Sequence, residues 1–314
     1  MTTPAYSRGD VDRARRMVRL LIEHYFGSKP HRLVHKGTGM SNTVFEVHHA
    51  EGEFIVRVAP GTSGLDSFLK EQWSVGRVRE AGVPVPEILE VGQGVIPNPY
   101  MIQRLLRGKE ATDHPDRLAV VHEVGQYARL INSIPTEGFG NTFDWSSNRL
   151  SFNNSFGDYL DAEFNRAGRL AILKKHKMLS TARLDKIETV LNKLAASKPA
   201  SMLAHGDLRL KNVLVDDSGK IIAIIDWDNC CSAIAPAWDL AIALHDLSID
   251  GKQAFIEGYG LALSDLDKTK QIIRVLNILH YAPYVQRAAE AKETARLAFY
   301  RMRLGGGLDL YAID

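Results

Sequence analysis

The chain has 314 residues and a formal net charge of +2, and it contains only two cysteines. Its length fits two lobes, and its 45% hydrophobic and 24% charged residues exclude a disordered or fibrous chain. The near-neutral charge argues against nucleic acid as the main partner. The adjacent Cys230 and Cys231 suit neither a disulfide framework nor a paired metal site, and no apolar run approaches the ~18 to 20 residues of a membrane span. We therefore predict a cytoplasmic protein with no membrane partner.

The N-terminal part of the chain is predicted to form a small antiparallel sheet with helices. Apolar residues at helical spacing predict a helix that ends at Gly27 and another that stops at Gly82. Alternating patterns separated by Gly- and Pro-containing turns predict the strands. These elements are the helices 10–26 and 65–81 and the strands 31–36, 43–49, 53–59, 87–91 and 100–104.

Beyond residue 104 the pattern is mostly helical, with one predicted strand pair. The predicted helices cover 115–133, 156–173, 181–196, 236–247 and a long stretch from 265 to 302, and the strands cover 213–215 and 220–225. We therefore predict an α+β fold with two lobes, residues 1–103 and 104–314, joined by a connection at about residues 103–108.

The predicted strand pair is bracketed by acids and amides within AHGDLRLKNVLVDDSGKIIAIIDWDN, residues 204–229. Asp207 lies in the loop before the first strand, Asn212 begins that strand, and Asp226 ends the return strand. A hairpin brings these oxygen ligands towards the same end of one ladder. Two carboxylates and an amide oxygen suit Mg²⁺ that carries phosphates, with one carboxylate left to accept a hydroxyl proton. Each of these residues alone is also typical of an ordinary turn or strand end.

The ordered pattern HGDLRLKN (205–212), followed by IDW (225–227), resembles the aminoglycoside phosphotransferase family, whose relatives include choline kinase and homoserine kinase types. The resemblance implies a bilobal protein-kinase-like fold. It also implies that Asp207 is the catalytic base and that Asn212 and Asp226 hold Mg²⁺.

Two further features distinguish this pattern from that of protein kinases. Gly206 stands where protein kinases usually carry Arg, and Pro236 follows the hairpin too closely for an activation segment. Both favour a small-molecule kinase. The segment PAWDLA (236–241) matches a signature of the same family, which implies that Asp239 braces the catalytic loop from a helix.

A glycine-containing loop, KGTGMSN (36–42), lies between the first two predicted strands. Backbone amides in such a loop can cover phosphates, which makes Gly37, Gly39, Ser41 and Asn42 candidates for ATP binding. An ordinary hairpin turn is the alternative interpretation.

Arg57 is predicted to be the lone cation on one face of the third strand. On the following helix, Glu71 shares an apolar stripe with Phe68, Val75 and Val78, where a carboxylate is costly unless it is paired. The resemblance implies that the two residues form a strand-to-helix ion pair and that Arg57 binds the nucleotide phosphates in place of a lysine. The alternative for Arg57 is a solvent-exposed position on an edge strand.

The segment YMIQRLLRG (100–108) resembles the hinge that receives adenine, with base contacts from the Gln103 carbonyl and the Leu105 amide. Arg104 stands where relatives commonly carry Glu, so both ATP and GTP stay open as the nucleotide. By resemblance, Arg209 contacts the transferred phosphate and neutralises its charge; the alternative is that it faces solvent.

The predicted function is ATP-dependent transfer of a γ-phosphoryl group to a hydroxyl of a small molecule. A kinase for polycationic aminoglycosides should present an acidic trough, and candidates for it are Asp158, Asp161, Glu163, Asp246 and Asp250. Basic residues crowd the same region, so a sugar, an amino alcohol or another hydroxylated metabolite is an equal candidate. The remaining alternatives are a catalytically silent nucleotide-binding regulatory module and a protein Ser/Thr kinase-like enzyme. The sequence leaves the oligomeric state open.

Overall fold

A computed structural model describes residues 8–38, 42–144 and 147–306 of the chain. Its helices are α1 (Arg8–Phe26), α2 (Leu65–Glu80), α3 (Arg117–Ile131), α4 (Phe156–Ala162), α5 (Arg166–Lys175), α6 (Thr181–Ala196), α7 (Ala237–Ala243), α8 (Ile249–Tyr259), α9 (Leu263–Glu290) and α10 (Thr294–Leu304). Its strands are β1 (Arg32–Thr38), β2 (Thr43–His49), β3 (Gly52–Val58), β4 (Ile88–Gly92), β5 (Tyr100–Arg104), β6 (Lys109–Glu110), β7 (Ser201–Ala204), β8 (Val213–Val215), β9 (Ile221–Ile224) and β10 (Cys231–Ile234). Short 3-10 helices lie at Ala111–Asp113, Leu210–Asn212 and Trp227–Asn229.

The first five strands form one antiparallel sheet in the order β1-β2-β3-β5-β4. Strand β3 shows the alternation that the sequence predicts, since Phe54, Val56 and Val58 are buried in the cluster that also contains the apolar face of α1. Ile55 and Arg57 point to the opposite side and line a cleft. This sheet therefore presents one face to α1 and the other to the functional site.

The rest of the chain packs around a second, larger core built mainly from helices. Helix α8 lies against α3, and α9 contacts α5, α6, α7 and α10. Two small sheets complete this part, one pairing β7 with β10 and one with the order β6-β8-β9. Helix α2 joins the two parts, because Val75 and Val78 on its buried stripe belong to the larger core. The β8-β9 hairpin consequently lies beside α2 and the cleft.

Most predicted elements are present, and the differences have local causes. The predicted helix 156–173 is two helices, because Asn165 adopts a left-handed conformation with φ 53° and its side chain caps α5. The predicted helical stretch 265–302 is likewise divided into α9 and α10, with Lys292 at φ 57° between them. Strands β6, β7 and β10 and helix α8 are not among the elements predicted from the sequence. The predicted helix at 236–247 ends early, at Ala243.

None of the helices that the structure describes has both the length and the apolar composition needed to span a bilayer.

Candidate active site

The loop that follows β7 is fixed by a buried carboxylate from α7. Asp239 accepts hydrogen bonds from the backbone N–H groups of His205, at 3.0 Å, and Gly206, at 2.9 Å. The Asn132 side-chain amide donates a further bond of 2.8 Å to the same carboxylate. Asp239 is completely buried, so these donors compensate its loss of hydration. The contact that the resemblance implies for Asp239 is therefore present, and it fixes the course of the loop.

Gly206 is required by the backbone at this point of the loop. Its φ is +77°, which side chains with a Cβ rarely adopt, and a Cβ atom there would lie 2.0 Å from the carbonyl oxygen of Asn229. The neighbouring His205 ring accepts from the Asp207 N–H at Nδ1 and lies 3.1 Å from the Ile225 carbonyl at Nε2. Burial lowers the pKa of His205, so the ring is a neutral spacer between the loop and the hairpin.

Asp207 lies at the centre of a group of donors from the following residues. The Asn212 side-chain amide donates to its carbonyl oxygen at 2.8 Å and to its carboxylate at 3.0 Å. Arg209 Nε lies 2.5 Å from Oδ1, and Lys211 Nζ lies 3.0 Å from Oδ2. Burial raises the pKa of Asp207, but the bonds from Arg209 and Lys211 outweigh it and hold that pKa below its usual value. The carboxylate is therefore ionised and oriented.

Asn212 and Asp226 meet at the open end of the β8-β9 hairpin. The backbone N–H of Ile225 donates to the Asn212 carbonyl at 2.9 Å, so Asp226 follows immediately after this link. Asn212 uses its amide N–H group for Asp207, and within the described residues no donor reaches its side-chain oxygen. The Asp226 carboxylate likewise accepts no hydrogen bond from the described part of the chain. Burial and the neighbouring Asp228 raise the pKa of Asp226. A bound cation would favour the ionised carboxylate and so lower this pKa.

Across the cleft, Arg57 reaches from β3 to α2 and to the segment after the hairpin. Its Nη1 lies 2.6 Å from Glu71 Oε2, and its Nη2 donates to Asp228. Burial lowers the pKa of Arg57, but Glu71 and Asp228 outweigh it, so the guanidinium keeps its charge. Lys70 adds a bond of 2.8 Å to the backbone carbonyl of Asp228. Arg57 and Glu71 are therefore in contact, as predicted, and Asp228 is an additional partner of Arg57.

The predicted phosphate loop is described only in part. Gly39 and Ser41 lie outside the described residues. Gly37 lies in β1 at a register shift between His35 and Thr38, and Asn42 lines the cleft.

The predicted hinge lies at the end of β5. Gln103 and Leu105 line the cleft, but the Leu105 N–H already donates to the Glu53 carbonyl at 3.0 Å. The Leu105 N–H could therefore donate to adenine, as predicted, only if it gave up its hydrogen bond to the Glu53 carbonyl. Arg104 is 3.3 Å from Glu87 at the exposed end of the sheet.

The cleft between the sheet and the helical core has a volume of about 1200 Å³. The end beside the sheet includes Val44, Ile55 and Ile88 as well as the residues above. Its other end, beyond Asp207, is lined by side chains that the sequence analysis mostly did not assign to a site. The residues at this second end are Tyr159, Glu163, Phe164, Arg169, Trp238, His245, Asp246, His280, Tyr281, Tyr284, Arg287, Phe299, Tyr300 and Arg303.

The five acids named as candidates for an acidic trough do not all lie at this second end. Asp158 is in the capping box of α4, Asp161 lies 2.6 Å from Arg166, and Asp250 lies in the first turn of α8. None of these three carboxylates lines the cleft. Of the five predicted acids, Glu163 and Asp246 do line it.

Two histidines also border the second end. Burial lowers the pKa of His245 to about 4 and that of His280 to about 3, so both rings are neutral. They lie 35 residues apart along the chain, in the segment after α7 and in α9, and the packing of α7 against α9 brings both to this end of the cleft. No ligand spacing in the sequence indicates this position.

Residues 36–272 match the model of the family described as APH, phosphotransferase enzyme family. No curated protein sequence matches the chain.

Solved structures resemble the chain over nearly its whole length. Aminoglycoside phosphotransferase APH(4)-Ia has a TM-score of 0.69 and 18% identity, over 93% of this chain and 97% of that chain. A thermostable mutant of the same protein, in a ternary complex with AMP-PNP and hygromycin B, has a TM-score of 0.69 and 18% identity over 92% and 96%. The GDP and kanamycin complex of APH(2")-IIia has a TM-score of 0.62 and 15% identity over 92% and 97%. The fold is therefore the predicted α+β, protein-kinase-like one.

Proposed function

This chain belongs to the phosphotransferase enzyme family, and we propose that it transfers the γ-phosphoryl group of ATP to a hydroxyl of a small molecule. The observation that carries the proposal is the meeting of Asp207, Asn212 and Asp226 at one end of the hairpin, facing the Arg57–Glu71 pair across a single cleft. A base, oxygen ligands and a fixed cation are the parts that phosphoryl transfer requires.

Asp207 is proposed as the catalytic base. Its carboxylate is ionised at neutral pH, because Arg209 and Lys211 hold its pKa low, and the Asn212 amide holds it in one orientation. An acceptor hydroxyl that reaches this carboxylate is oriented by it and gives its proton to Asp207 as the new O–P bond forms, while the bond from the γ-phosphorus to the bridging oxygen breaks and ADP leaves. Arg209 and Lys211 both contact the Asp207 carboxylate. We propose that they turn towards the transferred phosphoryl group and neutralise its charge.

The oxygens of Asn212 and Asp226 fit a magnesium ion. Both are without a donor from the described residues, and a hard oxygen pair of this kind leaves the remaining positions of Mg²⁺ to phosphates and water. When bound, Mg²⁺ would supply positive charge that offsets the negative charge developing on the phosphates. The protein's own contribution is the rigid hairpin, in which the Ile225–Asn212 backbone bond sets the separation of the two ligands.

The nucleotide is proposed to lie between the sheet and the hairpin. Arg57, fixed by Glu71, supplies a permanent positive charge to the α- and β-phosphates, and the amides of the loop at residues 36–42 cover them. Adenine would contact the backbone of Gln103 and Leu105, with GTP as the open alternative. Residues 1–103 and 104–314 then act as two lobes about a hinge at residues 103–108.

Release of ADP from MgATP across a panel of aminoglycosides, amino alcohols, sugars and nucleosides tests this function. We expect turnover that depends on both the acceptor and Mg²⁺. Tight, Mg²⁺-dependent binding of ATP without turnover on any acceptor would instead support the silent regulatory module. Phosphorylation of a protein substrate in preference to the whole panel would support the protein kinase alternative.

A further inference from the structure

The second end of the cleft, beyond Asp207, is called the acceptor end below, and it carries more arginines than carboxylates. Arg169, Arg287 and Arg303 line it together with Glu163 and Asp246, and Arg209 lies at its border beside Asp207. Arginine binds carboxylate and phosphate groups through paired, charge-assisted hydrogen bonds. The residue types at this end therefore indicate recognition of an anion.

Both carboxylates at the acceptor end already have partners within the protein. Glu163 accepts from the Asn141 backbone N–H at 3.0 Å and from the Asn153 side-chain amide at 2.5 Å, so it fixes the preceding loop. Asp246 lies 3.7 Å from Arg209 and 3.8 Å from Arg303. A polycationic acceptor would meet the arginines and find the acids already engaged.

Two of the arginines are oriented by uncharged groups. Arg169 donates to the carbonyl oxygens of Phe164, at 2.6 Å, and Leu279, at 3.0 Å, and pairs with no carboxylate among the described residues. Arg287 lies over the ring of Tyr284, 4.6 Å from its centroid, and likewise has no acidic partner in the described part of the chain. These contacts hold the guanidinium groups in position without neutralising their charge.

The environment between these arginines is aromatic. Tyr281 stacks on His245 and forms a hydrogen bond of 2.7 Å with it. Arg303 lies 5.9 Å from the centroid of the Tyr281 ring, and Tyr300 packs edge-on against that ring. Such rings exclude water, which strengthens the attraction between a guanidinium and an anion.

We propose that the phosphoryl acceptor carries an anionic group, a carboxylate or a phosphate ester, in addition to its hydroxyl. This inference rests on the proposed function. The hydroxyl lies at Asp207 and the anion lies towards Arg303, because Arg209 and Asp246 connect these two positions through contacts of 2.5, 3.7 and 3.8 Å. Arg287 lines the same end of the cleft. The same arginines repel an aminoglycoside.

Matched acceptors that differ only in charge test the proposal. The sets are glycerol, glycerate and glycerol 3-phosphate, and glucose, glucuronate, glucose 6-phosphate and glucosamine. We expect kcat/KM to be at least about tenfold higher for an anionic member than for its neutral partner, and the better anion distinguishes carboxylate from phosphate. A preference for glucosamine, or for the neutral members, would overturn the proposal.

A substitution at the acceptor end tests whether Arg303 binds the anionic group of the acceptor. Arg303→Gln should raise KM for the preferred anion about tenfold and leave KM for ATP unchanged. Arg301→Gln is the matched control, since Arg301 lies on the same helix but is exposed, and its side-chain hydrogen bonds within the described residues go to the His176 and Lys177 carbonyls. Equal KM values for the anion in the two variants would contradict the assignment of Arg303.

Binding of MgATP, measured separately by calorimetry, distinguishes failure of this inference from failure of the proposed function. If MgATP binds but no acceptor is phosphorylated, labelling of arginines with phenylglyoxal tests for an anion site, because this measurement does not depend on enzyme activity. Protection of Arg287 and Arg303 by glucuronate or glucose 6-phosphate, but not by glucose, supports an anion site. Equal labelling with all three sugars would overturn it.

Discussion

Arg57 Nη1 lies 2.6 Å from Glu71 Oε2, so an ion pair with side chains only 13% and 4% exposed ties β3 to α2. Asp228 contacts the same guanidinium from the segment that follows the hairpin. A single arginine therefore links the sheet, the helix and the segment that follows the β8-β9 hairpin. Its position relative to the cleft depends on both acids, and a change in either one should alter nucleotide binding.

Glu71→Gln should weaken nucleotide binding more than it weakens the fold. Arg57 keeps Asp228 as a partner but loses the charge that holds it against α2, so KM for ATP should rise about tenfold. Steady-state kinetics with varied MgATP measure this. Glu80→Gln is the control, because Glu80 is on the same helix but is 74% exposed. An unchanged KM for ATP in Glu71→Gln would refute the role of the pair.

Gly206→Ala should destabilise the protein by several kcal/mol, because its Cβ would lie 2.0 Å from the Asn229 carbonyl at a φ of +77°. Chemical denaturation measures the change. Gly76→Ala is the matched control, since a Cβ at this exposed position of α2 meets nothing within 4 Å and should increase stability by about 0.5 to 1 kcal/mol. Similar effects of the two substitutions would show that the loop tolerates a side chain.

Local signals in the sequence predict much of the candidate site around the β8-β9 hairpin. The turn around Gly219 and the alternating apolar residues define the β8-β9 hairpin, and the hairpin itself brings Asn212 towards Asp226. The strand alternation around Arg57 and the helical spacing of Glu71 likewise predict two side chains that meet across fourteen residues of sequence.

The acceptor end of the cleft could not be predicted in this way. Arg169, Arg287 and Arg303 are distant in sequence, and they meet only because α5, α9 and α10 pack together. The contact between Arg57 and Asp228, 171 residues apart, is also a product of tertiary packing alone.

The sequence does not predict the two breaks in the long helical patterns, for a different reason. Asn165 and Lys292 both adopt left-handed conformations, and neither is a glycine or proline that would mark the end of a helix in the sequence. The apolar residues continue on both sides of each break. The pattern therefore predicts one helix where the structure has two.

Asp226→Asn should remove the Mg²⁺ dependence of nucleotide binding. The substitution keeps the size of the side chain but removes the charge that a cation requires at the end of the hairpin. Calorimetric titration of ATP with and without Mg²⁺ measures the effect, and we expect the difference between the two affinities to disappear. Asp217→Asn, at the exposed turn of the same hairpin, is the control. Persistence of the wild-type Mg²⁺ dependence in Asp226→Asn would contradict the role of Asp226.

Stability should fall as the pH is lowered below about 6.5, because burial lowers the pKa of His245 to about 4 and that of His280 to about 3. The unfolded chain then binds protons that the folded chain does not, so each histidine contributes stability above pH ~6.5 that is lost as the pH falls towards its folded pKa. Denaturation at about pH 7.5 and about pH 5 should show a loss of about 1 to 2 kcal/mol for each.

His280→Phe should remove its share of this pH dependence, since its ring packs against Phe164 and Trp238 and its Nε2 has no hydrogen-bond partner within the described residues. His24→Phe, at an exposed position of α1, is the control and should leave the dependence unchanged. The same acid sensitivity in His280→Phe as in the wild type would assign the effect to other groups.

The rate of phosphoryl transfer by Asp207→Asn, on the acceptor that the wild type uses best, tests directly whether Asp207 is the base. We expect kcat to fall at least about a hundredfold, with the affinity for MgATP within about twofold of the wild type, because the substitution removes the base and leaves the Asn212 and Asp226 oxygens in place. A kcat close to that of the wild type would contradict the assignment of Asp207 as the base.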